Sequence, residues 1–296
     1  MIDAVLFGFV AAAFLGTADF LARFTSLRLG PAAAFTYVVV IGSLLMTAFV
    51  SVSGAKLTFT TTGLMLSTLH GLSVAGMSLM LYAALARGPI SLAVPIVAAH
   101  PVLVLFYEFA IGSSYLSLQQ GLAAGLVILG VVAASLLSLN HIKDQGEEKN
   151  THSNTRSSTG GTLLLALGAC FAYAFLIISG QSAAAEMGQV GAAWVGRLTS
   201  ALVLLLALGG GLFRLPKPGN SLLPLVVQGV LDTLGYIALL AGGLTAFPGM
   251  TAVIGSTFGF VTIILARLFI GERLGTIQWI AISLSFAGIA WLVGSS

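Results

Sequence analysis

Charged side chains are scarce in this sequence. Only 7% of its 296 residues are Asp, Glu, Lys or Arg, whereas 58% are hydrophobic. An ordinary soluble domain carries about 25% charged residues, which it needs to cover its surface. The mean hydropathy of +1.06 is that of a strongly apolar chain. The sequence therefore predicts an all-α integral membrane protein that has the lipid bilayer as a partner.

Several chemical signatures are missing as well. A single cysteine, Cys170, excludes an intrachain disulfide. The sequence shows no clustered Cys and His ligands for a metal, no G-x-x-x-x-G-K-[ST] motif for phosphates and no long basic patch for nucleic acid. We therefore expect no metal, no cofactor, no catalytic residue, no nucleic-acid partner and no ATP-driven transport by this chain alone. The first residues lack a positively charged region, which favours a retained first helix over a cleaved signal peptide.

Apolar runs of membrane-spanning length occur ten times. A helix needs about 20 residues to cross the hydrocarbon core. The runs predict spans at 3–26, 31–52, 63–86, 90–110, 118–140, 160–181, 189–213, 221–243, 248–269 and 276–294. The hydrophilic stretch 140–161 has the composition of a disordered linker between two halves. We therefore divide the chain into a first unit (1–140), a linker (141–160) and a second unit (161–296).

The basic residues predict the orientation of these spans. Ten Lys and Arg residues follow odd-numbered spans, only Lys56 follows an even-numbered one, and Arg197 lies inside span seven. Cytoplasmic loops carry the excess of Lys and Arg. The linker is therefore expected in the cytoplasm and both termini outside, in a multi-pass protein of the plasma (inner) membrane.

The two halves of the chain resemble each other. A constant offset of 159 matches Pro89 with Pro248, Val94 with Val253, and "IG" at 111–112 with "IG" at 270–271. Five spans per copy is an odd number, so the second copy must cross the membrane in the opposite direction to the first. Inverted repeats are a common plan of secondary transporters, which bind their solutes near the midplane. The sequence thus predicts ten transmembrane helices in two inverted five-helix repeats.

Short motifs within the copies point to a family. Tyr82-x-Ala84-Leu85, then Pro101 in mid-span, and "GER" at 271–273 resemble the EamA repeat of the drug/metabolite transporter superfamily. The resemblance implies two inverted repeats, a central cavity and export of small organic solutes. The sequence departs from the pattern at Gly112-Ser113, where the acid of the first Gly-Glu is missing. The family resemblance also implies cytoplasmic termini, against which we favour the count of basic residues.

An Asp and an Arg lie four residues apart in the first span. Asp19 and Arg23 belong to "LGTADFLARF" (15–24), and their spacing places them on one helical face. An isolated charge in a membrane span is costly, and pairing lowers that cost. We expect an ion pair that acts either as a structural anchor or as an inner gate.

The strongest candidate for solute binding or coupling is Asp232, in the middle of span eight. Gln228, Asp232 and Tyr236 recur every four residues and form a polar stripe. Such a stripe would face a cavity, because lipid penalises polar groups. Tyr82 begins the first-half motif that matches the motif beginning at Tyr236, and is included with the candidates. The alternative is that a protonated Asp232 holds helices together by hydrogen bonds.

Three further residues are candidates for the same site. His100 precedes Pro101, which frees a backbone carbonyl that would face a cavity, and histidine titrates near neutral pH. Arg197 needs a carboxylate, either Asp232 or a solute, unless it reaches the outer interface; Trp194, one turn away, would stack on a flat solute. His100 would otherwise be a simply hydrogen-bonded buried histidine.

These observations favour a secondary transporter, an exporter of small metabolites or drugs by alternating access, with proton coupling as one option. A flippase-like carrier of a lipid-linked or nucleotide-linked sugar is the alternative within transport. An intramembrane enzyme is disfavoured because Asp19 and Asp232 lie in different halves, and a scaffold would not need polar residues at the midplane. Gly121 and Gly125 suit packing inside the bundle, so we expect a monomer or a weak homodimer.

Overall fold

The computed structural model describes residues 2–55, 57–111, 117–148, 154–246, 248–272 and 274–294. These ranges contain twelve α-helices and no strand. The helices are α1 (Ile2–Leu29), α2 (Pro31–Ser53), α3 (Thr61–Arg87), α4 (Ile90–Ala98), α5 (His100–Ala110), α6 (Leu118–Glu148), α7 (Asn154–Met187), α8 (Gln189–Gly209), α9 (Leu222–Gly243), α10 (Pro248–Gly255), α11 (Phe258–Leu265) and α12 (Thr276–Gly294). Lys56, Gly112, Ser113 and Arg273, which entered the sequence predictions, lie outside the described residues.

The ten predicted spans are confirmed. Ten segments of the described ranges are long and apolar enough to cross a membrane, and their limits agree with the predicted ones to within a turn or two. The hydrophilic stretch is more helical than its composition indicated, because α6 continues to Glu148 and α7 begins at Asn154. The Lys, Gln and Glu residues there are good helix formers, so a helix that leaves the bilayer can continue into water.

Spans four and nine are broken at corresponding places. α4 gives way to α5 at Ala99, and α10 gives way to α11 at Ser256 and Thr257. Pro101 has no N–H for the carbonyl of Val97. We expected that carbonyl to face a cavity, and this is wrong: it accepts a hydrogen bond from Nδ1 of His100 at 3.1 Å.

The second break is satisfied by hydroxyl groups. Ser256 Oγ donates to the Val253 carbonyl at 2.7 Å, and Thr257 Oγ1 donates to the Ile254 carbonyl at 2.6 Å. Backbone groups freed inside a membrane must find partners within the protein. Both breaks therefore satisfy their freed carbonyls with side chains from the break itself.

The helix packing shows the two-fold relation between the repeats. α1 packs on α9, α10 and α11 of the second repeat, and α7 packs in the same way on α3, α4 and α5 of the first. The α2–α9 contact likewise has its counterpart in α8–α3, while α2–α8 and α6–α12 each join equivalent helices. Each repeat thus contributes its first helix to the other one.

Equivalent glycines allow the closest of these contacts. A side chain on Gly71 would meet the Gly196 carbonyl between α3 and α8, and one on Gly229 would meet Ile41 between the related helices α9 and α2. Gly130 of α6 lies against Ser285 of α12, and Gly288 of α12 lies against Val127 of α6. Glycines let membrane helices approach closely. Gly125 has open space beside it, so our expectation that it mediates tight packing is wrong.

The bundle has two ends that are distinguished below by the chain segments they carry. The terminal end carries residues 2 and 294, and the linker end carries the α1–α2 turn, the α3–α4 turn and the facing ends of α6 and α7. Gly30 joins α1 to α2 with a φ of +85°, a left-handed value that glycine adopts without strain, and Pro31 then starts α2.

Candidate functional site

An ion pair joins α8 to α9 near the middle of both helices. Arg197 Nη1 lies 2.5 Å from Asp232 Oδ2, and the guanidinium stands 5.1 Å from the centre of the Tyr236 ring. The two side chains are 10% and 28% accessible, so water screens the pair only weakly. Of the two partners considered for Arg197, the structure supplies Asp232.

Gln228 belongs to a buried hydrogen-bond network. Its Nε2 donates to the Tyr82 hydroxyl at 2.7 Å, and its Oε1 accepts from Thr25 Oγ1 at 2.9 Å. Gln228 is fully buried, so the expectation that the whole polar stripe faces a cavity is wrong for this residue. A buried amide is stabilised only when its donors and acceptors are paired. Gln228 therefore ties α9 to α1 and α3, and Tyr82 is held in place by the same contact.

The expected ion pair between Asp19 and Arg23 is absent from the described residues. Arg23 Nη1 instead donates to the backbone carbonyls of Leu85, at 2.6 Å, and Gly88. These carbonyls lie at the C-terminal end of α3, where they have no partner within the helix and carry partial negative charge. Two such acceptors hold the guanidinium away from the carboxylate of its own helix.

Asp19 instead lies near Asp232. The two carboxyl groups are close enough to repel each other, and Tyr82 and Tyr173 also lie within electrostatic range of Asp19. Within the part of the chain that the structure describes, Asp19 has no hydrogen-bond donor and no cationic partner within 4 Å. The argument that the two aspartates are separated by lying in different halves is therefore wrong, because α1 packs on α9.

The linker end is joined by a second set of contacts. Besides the Arg23–Gly88 contact, a Glu272 carboxylate oxygen accepts a hydrogen bond at 3.4 Å from the Ser91 N–H, in the first turn of α4. Arg23 and Glu272 also attract each other. We call Arg23, Gly88, Ser91 and Glu272 the linker-end cluster. It joins both repeats at the end of the bundle that carries the linker.

Burial raises the pKa of Glu272 above its ordinary value, and the Ser91 N–H and the Arg23 charge partly offset this effect. Low dielectric disfavours the charged form of a carboxyl group, whereas a donor and a cation favour it. Glu272 is thus a partly dehydrated group that belongs to the second repeat and contacts the first.

His100 and Tyr173 are stacked, with ring centres 3.9 Å apart and an angle of 11° between the rings. A carbonyl oxygen can only accept, so His100 Nδ1 must donate to Val97. The neutral ring then presents Nε2 as an acceptor. Both residues line a cavity of about 310 Å³.

This cavity, hereafter the terminal cavity, extends from midspan toward the terminal end. Its walls are mostly apolar, and besides the His100–Tyr173 pair they include Leu15, Val104, Ile177, Leu239, Phe258 and Val293, with Glu108 and Gln181 as polar members. Pockets for small molecules are typically of this size, apolar with a few polar groups. The Arg197–Asp232 pair is outside its lining.

Trp194 and His70 have structural contacts. Trp194 Nε1 donates to Thr47 Oγ1 at 2.9 Å, which joins α8 to α2. His70 Nδ1 donates to the Leu176 carbonyl at 3.0 Å, and the ring lies against Gly180 and Gly196. Sequence reasoning missed Tyr173, Thr25 and the role of Glu272. A tyrosine at the middle of an apolar span was the available signal for Tyr173.

The fold is that of a membrane protein built from two five-helix repeats. The EamA-like transporter family matches residues 3–136 and again 161–294, so both five-helix units are covered. The chain belongs to this family, and with it to the drug/metabolite transporter superfamily.

A solved structure titled only "Crystal structure of protein" has the same fold. Its TM-score is 0.64, and the match covers 98% of this chain and 96% of that chain at 15% identity. At that identity the likeness establishes the fold alone. No curated protein matches the sequence.

Proposed function

We propose that this chain exports small organic solutes by alternating access and couples the movement to protons. The observation that carries the proposal is the position of the terminal cavity, because hydrogen bonds join the repeats at the terminal end as well, from Thr251 to the Ala4 carbonyl and from Thr60 to Glu186. The terminal cavity extends from the stacked His100 and Tyr173 toward one end, and the linker-end cluster joins the repeats at the other. A carrier that alternates must have one end closed while the other is accessible.

The inverted repeats support the existence of the second state. Because each repeat packs its first helix on the other, a tilt of one repeat against the other exchanges the two sets of contacts. In the second state the linker-end cluster would separate and the terminal cavity would close. With the linker in the cytoplasm, the described state has its cavity on the outer side.

Two carboxyl groups support proton coupling. Asp19 and Asp232 lie close enough to repel each other, and Arg197 neutralises only one of them. A proton or a cationic solute would relieve that repulsion. The Arg197–Asp232 pair also argues against a hydrolytic carboxyl pair, which would share one proton between two free acids.

Transport in proteoliposomes tests the function. Vesicles are loaded with amino acids, nucleosides, sugars or organic amines, and a pH gradient is imposed while each solute is followed. We expect gradient-driven efflux of at least one class. Asp232→Asn should abolish it, whereas Asp3→Asn, the same change at an exposed position of α1, should not. Efflux equal to that of protein-free vesicles for every class would refute the function.

Cysteine labelling tests the alternation separately. Cys170 is buried and is the one cysteine of the chain, so Cys170→Ala provides the background. Val293→Cys in the terminal cavity and Ser91→Cys in the linker-end cluster should react with a membrane-impermeant maleimide from opposite sides. A transported solute should change the two rates in opposite directions. Rates that change together, or not at all, would contradict alternating access.

A further inference from the structure

We infer that the solute is a protonated amine with an apolar body, and that Asp19 is the carboxylate that neutralises it. This inference rests on the proposed function and specifies its substrate class. The amine would lie beyond the inner end of the terminal cavity, and the apolar body would fill the cavity itself.

The first argument is that the polar centre, which consists of Asp19, Arg197 and Asp232, has a charge that favours a cationic solute. Arg197 and Asp232 neutralise each other at 2.5 Å, which leaves Asp19 as a third ionisable group without a charged partner. In the described part of the chain it has neither a cationic partner nor a hydrogen-bond donor. An isolated carboxylate inside a membrane protein is costly. When Asp19 is ionised the centre therefore lacks one positive charge, which a proton or a monovalent cation supplies.

The second argument is the position of Asp19. Leu15 lines the terminal cavity, and Asp19 follows one helical turn further toward the linker end on the same face of α1. Tyr173 also lines the cavity and lies within electrostatic range of Asp19. A solute that enters from the terminal end therefore reaches Asp19 after it has passed the Tyr173 ring.

The third argument is what the cavity offers to the rest of the solute. A cation is attracted by aromatic faces, and Tyr173 and Phe258 provide aromatic rings in the wall. His100 Nε2 is an acceptor for an ammonium N–H, while the apolar residues suit hydrocarbon. The cavity volume of about 310 Å³ accommodates an amine with one or two rings.

The fourth argument concerns anions. An anionic solute would need a free cation, and the two arginines nearest the centre are engaged. Arg197 is bound to Asp232, and Arg23 is bound to the carbonyls of Leu85 and Gly88. A solute carboxylate beside Asp19 would add a second negative charge, so the site would disfavour anionic solutes of any shape.

Three probes of nearly the same shape and different charge test the inference. These are phenethylammonium, the neutral 2-phenylethanol and the anionic 3-phenylpropanoate. Binding to the full-length protein in detergent is measured by calorimetry at neutral pH. We expect phenethylammonium to bind about tenfold or more tightly than either of the others, since a charge-assisted contact accounts for that ratio. Equal affinities, or tighter binding of 3-phenylpropanoate, would overturn the inference on the wild-type protein alone.

The variants then assign the charge to Asp19. Asp19→Asn should remove the preference for phenethylammonium over 2-phenylethanol and leave the affinity for 2-phenylethanol unchanged. Asp19→Glu should retain the preference, and Asp3→Asn, the matched change on the exposed end of α1, should behave as wild type. A preference that persists in a folded Asp19→Asn protein would overturn the role of Asp19.

Exchange of phenethylammonium across liposomes separates this inference from the proposed function. Asp19-dependent binding without exchange of any solute would retain the cation site and refute the transporter. Exchange of neutral or anionic solutes in the absence of phenethylammonium exchange would retain the transporter and refute the substrate class.

Discussion

The Arg197–Asp232 pair allows a quantitative test of the polar centre. Removing one partner of a buried ion pair leaves an uncompensated charge, which costs about 3–5 kcal/mol. The side chains are 10% and 28% accessible, so some water remains and we expect both single variants, Arg197→Gln and Asp232→Asn, to fall in the lower part of that range. The double variant leaves no charge unpaired and should therefore cost less than either single variant, well below an additive sum of about 6 kcal/mol.

The two single variants should also differ from each other. After Arg197→Gln the remaining Asp232 is the more accessible partner, so water can solvate its charge. After Asp232→Asn the remaining Arg197 is nearly dry and cannot lose its charge. Asp232→Asn should therefore be the more destabilising change at neutral pH.

Reversible unfolding in mixed micelles, followed by tryptophan fluorescence, measures these free energies. Arg214→Gln and Asp3→Asn repeat the two changes at exposed positions and should remain within about 0.5 kcal/mol of wild type. Additive losses in the double variant would show that the two side chains do not stabilise the bundle as a pair. A larger loss for Arg197→Gln than for Asp232→Asn would contradict the argument from burial.

Three further predictions concern the ends of the bundle. A reporter fused to the C-terminus should behave as exported, and one inserted at 141–160 should behave as cytoplasmic; the reverse result would overturn the orientation and leave the fold intact. Asp19→Asn and Arg23→Gln should have additive effects on stability, because Arg23 is bound to α3 carbonyls, and a coupling above about 0.5 kcal/mol would restore the expected pair. Burial raises the pKa of Glu272, so between about 4.5 and that raised value the folded chain binds more protons than the unfolded chain. The melting temperature of wild type minus that of Glu272→Gln should then fall as the pH rises through this window. A value that rises with pH would contradict the effect of burial.

The spans were predictable because the membrane imposes one simple constraint. Runs of about 20 apolar residues must be helical, and a repeat with an odd number of spans must be inverted. The break in span four was also signalled, by Pro101. The break in span nine contains no proline, and Ser256 and Thr257 satisfy its carbonyls instead. Hydroxyl residues are too common in membrane helices to indicate a break.

The candidate site was predictable in its residue types and less so in its pairings. Arg197 required a carboxylate, and Asp232 was among the expected partners. By contrast, Gln228 was expected to face a cavity, because the sequence does not show that Tyr82 and Thr25 occupy its amide group. Contacts of this kind join residues far apart in the chain, and helical spacing contains no information about them.

Arg23 illustrates the same limit from the other side. Its spacing from Asp19 was read correctly as one helical face, and the partner was still wrong. Spacing predicts which side chains can meet, whereas the choice depends on every acceptor within reach. The carbonyls at the end of α3 lie about sixty residues further along the chain, and Arg23 binds them in place of Asp19.

The exchange of first helices between the repeats has a consequence for biosynthesis. α1 enters the membrane long before α9, α10 and α11 are synthesised, although those helices cover most of its inner face. Chain segments generally fold as soon as their partners are available. The first five helices must therefore wait in the bilayer with polar groups such as Asp19 and Thr25 unshielded by protein, until the second repeat arrives. A ribosome that stops after the linker would release a product in which the face of α1 that carries Asp19 lacks its covering helices.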